Sequence, residues 1–322
     1  AAARRAGAAD ALANLTASPP IKMTPGRLLW LARRDLARGW SASWHDHAVR
    51  PRIRGWTNPH GALPPETLPI HVVAGKNHSD MALWMLAGFF YHTARNWPVV
   101  LHDDGTLDPS QLETWQGRGL RLRVVGRLEA DDITAPALRA CPLLAGYRAA
   151  HPLGIKLVDV PHLLNGGRGM LLDADIAFFA RPAEILDWAD GHDVRASWFN
   201  ADVGEASNVP PDVALAKFGV TLWRRVNSGL CLLGQDVMDP DFCEAVLREG
   251  TILRGHVWRV EQTLFALNAS RAGRGGLLPG SYEVSLDKHA GEGCVARHYV
   301  GQVRDRLWAE GVRRLAPLVL QR

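Results

Sequence analysis

From residue 68 onward, short apolar runs alternate with longer segments in which apolar residues recur at helical spacing. The short runs end near Gly or Asp, as strands do before a turn, and the longer segments have the length of helices. The predicted strands are 68–74, 97–102, 120–125 and 169–172, and the predicted helices are 79–95 and 109–117. Because strands separated by helices form mostly parallel sheets, we predict an α/β domain whose ligands bind beyond the carboxyl ends of the strands.

The residues before this domain have a different pattern. We expect 1–65 to form a partly helical N-terminal extension and 66–322 to form the α/β domain. The Ala-rich segment 1–22 predicts a frayed helix or a disordered arm. Residues 42–66 are rich in Trp, His, Arg and Pro, which is typical of an irregular linker. Within this stretch, His45-Asp46-His47 is interpreted as a solvated cluster in preference to a metal site.

A helix with one apolar face is predicted over 25–41. Leu29, Ala32, Leu36 and Trp40 recur at helical spacing, and arginines occupy other positions. A basic amphipathic helix of this kind either packs on the neighbouring domain or lies on a membrane surface. Packing on the domain is the favoured interpretation, and peripheral membrane contact through 25–41 is the alternative.

Two acidic residues follow the fourth predicted strand. The strand over 169–172 runs directly into Asp173 and Asp175, and an apolar run resumes at Ile176. Carboxylates beside a buried strand lose solvation, and a divalent cation is the usual reason for tolerating them. Mg²⁺ and Mn²⁺ prefer such oxygen ligands and share them with substrate phosphates. Because acidic pairs with this spacing also occur in turns, the pair alone leaves a structural role open.

Three further motifs give the acidic pair more weight. A polar turn, Asn227-Ser228-Gly229, is predicted just before an apolar strand, and Glu261 and Gln262 begin an apolar helix. His298 precedes the basic residue Arg304 by six positions. These motifs supply a candidate imidazole ligand, a cation for an anionic group, and amide side chains that can bind a polar substrate.

Taken in order, four motifs resemble glycosyltransferase family 8 and its relatives. They are L-D-A-D-I at 172–176, V-N-S-G-L at 226–230, E-Q-T-L-F at 261–265 and H-Y-V-G-Q-V-R at 298–304. The resemblance covers residues 68–308. It implies the GT-A fold, a Rossmann-like fold of nucleotide-diphospho-sugar transferases in which a mixed, mostly parallel sheet is flanked by helices. It also implies an enzyme that moves a hexose from a nucleotide-diphosphate sugar, a UDP-hexose in this family, to an acceptor hydroxyl with retention of anomeric configuration.

The same resemblance assigns roles to individual residues, with Asp173, Asn227 and Gln262 as the catalytic candidates. The implied ligands of Mn²⁺ or Mg²⁺ are Asp173, Asp175 and His298, and Asp173 also reaches towards the donor ribose. The implied contacts to the diphosphate side of the donor are Lys156, Gly301 and Arg304. The donor sugar is expected beside Asn227, Gly229 and Gln262, with Gln262 near the anomeric carbon, and the base is expected beside Gly75 and Asn77.

Two departures from the family pattern concern the donor. Arg304 is followed by Asp305, where the family motif ends in Lys-Pro-Trp. The first strand ends in Ala74-Gly75-Lys76-Asn77, without the acidic residue that contacts uracil in the family. The segment His102-Asp103-Asp104-Gly105 ends the second predicted strand and is interpreted as a turn in preference to a set of ligands.

Composition narrows the class of partner. The formal net charge is +4 without a concentrated Lys/Arg stripe, so we expect no nucleic-acid partner. Four cysteines form no CxxC pair, which indicates reduced core thiols in a cytoplasmic protein or one at the inner face of a membrane. A high content of Ala, Arg and Gly is typical of a GC-rich bacterial gene, for which synthesis of a cell-envelope glycan is a plausible setting.

Two other functions remain open from the sequence. One is a non-catalytic module on the same fold that binds a glycan or a nucleotide sugar. Such a module is expected to lack the metal ligands, whereas Asp173, Asp175 and His298 are all present here. A haloacid-dehalogenase-type phosphatase also has Asp-x-Asp after a strand. Its motif lies on the first strand, whereas at least three strands are predicted before Asp173. The acceptor, whether glycan, lipid or protein, is left open.

Overall fold

The apolar runs of the chain form ten strands within residues 25–235 and 237–320, which the computed structural model describes. In chain order the strands are β1 (Ile70–Ala74), β2 (Pro98–Asp103), β3 (Arg121–Val125), β4 (Gly169–Leu172), β5 (Ile176–Phe178), β6 (Ser197–Ala201), β7 (Val226–Leu233), β8 (Gly275–Leu277), β9 (Tyr282–Val284) and β10 (Ala296–His298). The four strands predicted from the sequence correspond to β1–β4 and are confirmed. The prediction for 1–22 lies outside the described residues.

Helices connect most of these strands. The α-helices of the described residues are Pro25–Arg38, Trp40–Trp44, Ser79–Thr93, Pro109–Gln116, Arg127–Leu138, Pro142–Ala150, Val160–Leu164, Ala183–Asp190, Pro211–Phe218, Pro240–Glu249, Val260–Ala272 and Arg313–Val319. Short π-helical turns cover His45–Val49, Ile155–Asp159 and Leu307–Val312, and 3₁₀ turns cover Arg50–Gly55, Thr251–Arg254, Val257–Arg259 and Gly301–Val303. The two helices predicted after the first and second strands are confirmed.

Seven strands form one mixed sheet in the order β3-β2-β1-β4-β7-β6-β8. The pairs β3–β2, β2–β1, β1–β4 and β6–β8 are parallel, and the pairs β4–β7 and β7–β6 are antiparallel. The prediction of a mixed, mostly parallel sheet is therefore confirmed. A second sheet of three strands, β5-β10-β9, begins just after β4, so the segment 173–175 connects one sheet to the other.

The central strand β4 is buried on both faces, which explains its continuous apolar sequence. Met170 and Leu172 face one core layer, which contains the buried helix Ser79–Thr93. Leu171 faces the other layer, which contains the helix Val260–Ala272. Alternation along the strand thus divides the apolar side chains between two cores. The end of β4 is held from both sides, and the polar residues that follow it have fixed positions.

The prediction of an irregular linker over 42–66 is wrong for much of that stretch. Residues 40–55 form consecutive short helical turns. They are ordered because Ile53 and Trp56 are buried in the same core as the central sheet, and Trp56 lies edge-on to Phe90. The boundary between an extension and a domain at residue 65 stays a prediction.

The helix predicted over 25–41 is present as Pro25–Arg38, but the favoured interpretation of its apolar face is wrong. Leu36 is 83% exposed and Trp40 is 81% exposed, so neither packs on the domain. The helix is instead attached through polar contacts of Arg38, which pairs with Asp46 and Asp305. In residues 25–235 and 237–320, no helix is both long and apolar enough to cross a membrane.

All four cysteines are buried and unbonded, as predicted for core thiols. Two buried histidines were not anticipated. His71 on β1 and His102 on β2 lie with their ring nitrogens Nδ1 and Nε2 2.9 Å apart. Burial lowers the pKa of His71 well below its usual value and lowers that of His102 to about 3. Both imidazoles are therefore neutral in the folded protein at neutral pH.

This pair predicts a loss of stability in mild acid. Below the ordinary histidine pKa of about 6.5, the two imidazoles become protonated in the unfolded chain but not in the folded chain. The free energy of unfolding therefore falls as pH is lowered. Each imidazole contributes up to about 1.4 kcal/mol per pH unit to this slope. In urea unfolding from pH 7.5 to 5, the double variant His71→Leu/His102→Leu should have a smaller pH slope than the wild type.

The matched control is His162→Gln, since His162 is exposed. This variant should keep the wild-type slope. A double variant with the full wild-type slope would show that the buried pair does not cause the acid sensitivity.

Candidate active site

Three potential metal ligands converge where the two sheets meet. Asp173 follows β4, Asp175 precedes β5, and His298 is the last residue of β10. Antiparallel pairing of β10 with β5 sets His298 opposite Ile176, and Tyr299 N–H donates to the carbonyl of Asp175. One donor atom from each of Asp173, Asp175 and His298 lies within 4.8 Å of the others. Strand pairing therefore joins residues that are more than 120 positions apart in the sequence.

The imidazole of His298 is held in one orientation by β7. Its Nδ1 lies 2.9 Å from Asn227 Oδ1 and donates to that oxygen, which leaves Nε2 facing the carboxylates. Nε2 lies 3.1 Å from Asp175 Oδ1 and 3.7 Å from Asp173 Oδ2. Gly229 makes room for the ring, because a Cβ at that position would lie 2.2 Å from ring atoms of His298. The glycine in the Asn-x-Gly motif thus has a direct packing reason.

The predicted turn at Asn227-Ser228-Gly229 is wrong, because these residues lie inside β7. The strand extends to Val226 since β6 pairs with it through Asn200↔Asn227. The Asn227 side chain forms its hydrogen bonds within the protein. Its Oδ1 accepts from His298 and from Gly229 N–H, and its Nδ2 donates to Asp202. Contact of Asn227 with a sugar stays a prediction, and its observed role is to position His298.

Lys156 is buried beside Asp173 of the acidic pair. It lies on the π-helical turn Ile155–Asp159, with Nζ 2.9 Å from Asp173 Oδ1 and 3.4 Å from Glu261 Oε1. Burial opposes the charge of Lys156, but the two carboxylates outweigh it and raise the lysine's pKa. Burial raises the pKa of Glu261, and Lys156 partly counteracts that shift. Glu261 also accepts from Ser228 Oγ at 2.7 Å.

Asp175 is buried between two cationic side chains. Burial alone would raise its pKa, but His298 and Arg304 outweigh burial and hold that pKa below its usual range. Arg304 Nε donates to Asp175 Oδ2 at 2.8 Å, while its side chain remains 47% exposed. The pKa of His298 is pushed down by burial and raised overall by Asp175. Every carboxylate of the cluster therefore has a cationic neighbour.

A cleft of about 450 Å³ opens beside this cluster. Predicted site residues that line it are Lys156, Asp173, Asn227, Gly229, Gln262, His298, Gly301 and Arg304. The Gln262 amide is held at both ends, since Oε1 accepts from Ser228 N–H and Nε2 donates to the carbonyl of Ala206. Gly301 has a backbone φ of 23° and begins the short 3₁₀ turn that leads to Arg304. The fold thus brings together most of the residues that are predicted to contact the nucleotide-sugar donor.

The cleft continues towards the ends of β1 and β2 as a smaller space of about 240 Å³. Here the predicted residues fit less well, since Asn77 is exposed in the turn after β1 and neither it nor Gly75 lines the space. Asp104, His78 and Trp258 line it instead. The Asp104 carboxylate fills the position where a Gly75 side chain would stand, with Oδ2 2.1 Å from the place of its Cβ.

The sequence pattern favoured a turn over a ligand role for Asp104, although one signal pointed to a position in the cleft. β1 and β2 are adjacent and parallel, and their carboxyl ends meet at the same edge. The segment His102–Gly105 does contain a turn, in which Asp104 Oδ1 accepts from Thr106 N–H. Asp104 therefore both belongs to the turn and lines the cleft. No comparable signal marks Trp258, which lies on the 3₁₀ turn Val257–Arg259 and is 57% exposed.

The cluster has the donor atoms that Mn²⁺ or Mg²⁺ requires. Two carboxylates and one imidazole point to a common centre, and the imidazole is presented through a nitrogen whose ring partner is already bonded. The carboxylate of Asp175 is kept ionised by its surroundings, as a ligand must be. Asp173, Asp175 and His298 thus fit a divalent cation.

Comparisons with known proteins point to the fold. Neither a protein-family model nor a curated protein matches the chain. Among solved structures, mouse xyloside xylosyltransferase 1 is similar at 10% identity and a TM-score of 0.53, covering 74% of this chain and 99% of that chain. The bifunctional glycosyltransferase WbbM is similar at 16% identity, covering 73% of this chain and 46% of that chain, with a TM-score of 0.48. The galactosyltransferase LgtC is similar at 12% identity, covering 78% of this chain and 95% of that chain, with a TM-score of 0.42.

The likeness to the mouse xylosyltransferase shows a shared fold, since three quarters of this chain superpose on almost the whole of that one. The predicted GT-A fold is therefore confirmed. A fold in which Asp173 and Asp175 follow the fourth strand also removes the reason for considering a haloacid-dehalogenase-type phosphatase, whose Asp-x-Asp lies on the first strand.

The packing of Gly229 against His298 yields a test of the metal site. In Gly229→Ala, the added methyl group must displace the imidazole or the strand, so His298 loses its position beside the carboxylates. Since supporting groups of this kind are worth about 10–100-fold in metal affinity, we expect Mn²⁺ binding to weaken by at least about tenfold. Calorimetric titration with Mn²⁺ measures this change.

The control variant is Gly280→Ala, because a Cβ at Gly280 meets no atom within 4 Å. It should bind Mn²⁺ as the wild type does. Wild-type affinity in a folded Gly229→Ala protein would exclude His298 from the metal site.

Proposed function

We propose that the protein is a glycosyltransferase that moves a hexose from a nucleoside-diphosphate sugar, a UDP-hexose, to an acceptor hydroxyl. The proposal depends above all on the convergence of Asp173, Asp175 and His298 beside a cleft on a GT-A fold. The name of the mouse structural neighbour, a xylosyltransferase, supports the same class of reaction. We propose Mn²⁺ or Mg²⁺ as the bound cation.

The charges around the cleft suit a leaving group that becomes more negative. When bound, the cation would supply Lewis-acid stabilisation of a diphosphate. Arg304 is half-exposed beside Asp175, so its remaining N–H groups can donate to phosphate oxygens. Lys156 stays buried and compensates Asp173 and Glu261, which lets these carboxylates remain near the diphosphate without repelling it. Gly301 leaves the backbone of the 301–304 turn accessible to phosphate.

The transfer is proposed to retain the anomeric configuration. The acceptor oxygen bonds to the anomeric carbon as the bond from that carbon to the diphosphate breaks, and the acceptor proton passes to the departing phosphate oxygen. Attack and departure on the same face require no covalent enzyme intermediate. Gln262 is the polar side chain proposed to lie beside the anomeric carbon, where its fixed amide dipole stabilises the developing positive charge.

The base of the donor is proposed to lie in the smaller space at the ends of β1 and β2, close to Gly75 and Asn77. Asp104 takes the role of the acidic residue that β1 lacks. Its carboxylate lines this space and can accept the N3–H of uracil, a donor that cytosine does not have. The absence of a side chain at Gly75 leaves the room that Asp104 occupies.

The cellular setting is proposed from composition. The content of Ala, Arg and Gly favours a bacterial protein, and four unbonded buried cysteines are compatible with the reducing cytoplasm. Synthesis of a cell-envelope glycan is the setting that we propose, with a glycan, lipid or protein hydroxyl as the acceptor.

Release of nucleotide from UDP-hexoses tests the proposed activity. Incubation with Mn²⁺ should liberate UDP from the correct donor even without acceptor, and chelation should stop the release. Asp175→Asn should lower the rate by at least about a hundredfold, because it removes a ligand and its charge from the site where negative charge develops. Chromatography of the nucleotide products gives the rate. In proton NMR, the first sugar product to appear should have the same anomeric configuration as the donor.

Asp212→Asn is the matched control, since Asp212 is an exposed carboxylate on the helix Pro211–Phe218. It should keep full activity. Binding of nucleotide sugars without any release, with every UDP-hexose tested, would favour the non-catalytic binding module instead, and inversion would refute the same-face mechanism.

Recognition of uracil by Asp104 has its own test. Wild-type protein should bind UDP more tightly than CDP by about tenfold, because hydrogen bonds to charged groups are worth about 1.5–3 kcal/mol. Asp104→Asn should bring the two affinities together, since its amide can both donate and accept. Calorimetry with UDP and CDP in the presence of Mn²⁺ gives the ratio.

Asp103→Asn serves as the control, because Asp103 accepts from Gly105 and Leu107 N–H groups of its own turn and an amide oxygen can do the same. It should leave the ratio of UDP to CDP affinity unchanged. Equal loss of discrimination in both variants would assign the effect to the turn and not to Asp104.

A further inference from the structure

An exposed apolar surface lies at the start of the described chain. It consists of Leu29, Leu36, Trp40 and Trp44, which are exposed by 54%, 83%, 81% and 52%. The indole rings of Trp40 and Trp44 stack on each other with their centroids 6.2 Å apart. We refer to these four residues as the tryptophan surface. Large apolar side chains grouped in this way on a protein surface mark a site of interaction.

The opposite side of the same segment is fixed to the protein. Arg38 bonds to Asp46 at 2.9 Å and to Asp305 at 2.6 Å, and Ala42 and Val49 are buried. Ser43 Oγ donates to the carbonyl of Asp35, which links the two helices across the break at Gly39. The tryptophan surface is therefore presented outward by a segment that polar contacts and two buried apolar side chains hold in place.

The charge of this segment identifies its partner. Residues 25–56 contain seven arginines and two aspartates, a formal charge of +5, whereas the whole chain carries +4. The positive charge of the protein is thus concentrated in one tenth of its length. Arg33 lies on the helical face between Leu29 and Leu36 and is exposed, and Arg52 is exposed on the following turn.

We propose that the tryptophan surface binds the protein to an anionic lipid bilayer. Tryptophan is favoured at the boundary between headgroups and acyl chains, because its ring is apolar and its N–H is polar. Leucine side chains enter the acyl region, and arginines beside them attract anionic headgroups. The segment combines all three features, and it lies on the surface of the bilayer, not across it.

Docking would also bring the candidate active site to the membrane. Asp305, which Arg38 contacts, follows Arg304, and Arg304 contacts Asp175. Two ion pairs, made by the neighbouring residues Arg304 and Asp305, therefore connect the segment of the tryptophan surface to the candidate active site. The proposal does not depend on the transfer reaction, because lipid binding is measured without donor or acceptor.

Flotation of the full chain with vesicles tests the proposal. At low salt, wild-type protein should float with vesicles of phosphatidylcholine and phosphatidylglycerol and bind pure phosphatidylcholine much more weakly. Trp40→Gln/Trp44→Gln and, separately, Leu36→Gln should each lower the partition coefficient, the double variant by at least about tenfold. Arg33→Gln/Arg52→Gln should reduce the preference for anionic vesicles, and brominated lipids should quench wild-type tryptophan fluorescence more than that of the double variant.

Leu128→Gln is the matched control for Leu36→Gln, since Leu128 is 82% exposed on a different helix. It should bind vesicles as the wild type does. Equal binding by the Leu36 and Leu128 variants would overturn the proposal, as would no binding to anionic vesicles. A dimer that the tryptophan substitutions dissociate would assign the surface to a second copy. Vesicle binding that appears only after removal of residues 1–24 would assign it to that segment.

Discussion

The structure depends on the neutralisation of buried carboxylates at the end of one strand. Asp175 and Glu261 are almost completely buried, and neither could stay charged there without a cationic partner. His298 and Arg304 accompany Asp175, and Lys156 lies between Asp173 and Glu261. Removing one partner would leave a buried charge unpaired, so the cluster restricts where β4, β7, β10 and the helix Val260–Ala272 can lie. A divalent cation fits the same balance, because it adds positive charge where carboxylates already converge.

The fold delivers these side chains through strand pairing. β4 ends at the junction of the two sheets, and β5 leaves from there in the second sheet beside β10, which carries His298. β7 lies antiparallel to β4 and supplies both Asn227, which orients the imidazole, and Gly229, which gives it space. Small changes at β7 therefore act on the metal ligand His298 without replacing it, which is how supporting groups tune a metal site.

The sequence predicted the elements with strong local patterns. β1–β4, the helix Ser79–Thr93 and the acidic pair were recognised because apolar runs and turn residues are local signals. Features that depend on residues distant in the sequence were not recognised. Asn227 was assigned to a turn, although pairing with β6 extends the strand across it. Asp104 was interpreted as a turn residue in preference to a ligand, since its position over Gly75 depends on the pairing of β1 with β2. The helical turns at 40–55 were missed because Ile53 and Trp56 are ordered by a core formed elsewhere in the chain.

The central claim is that one histidine and two aspartates share a cation, and pulsed electron paramagnetic resonance of bound Mn²⁺ tests it most directly. Protein labelled with ¹⁵N in its histidines should show the hyperfine coupling of a single imidazole nitrogen. That coupling should vanish in His298→Gln and persist in His102→Gln, because His102 is buried against His71 and does not belong to the cluster of Asp173, Asp175 and His298. A Mn²⁺ signal without imidazole coupling, or one that survives the loss of His298, would contradict the account.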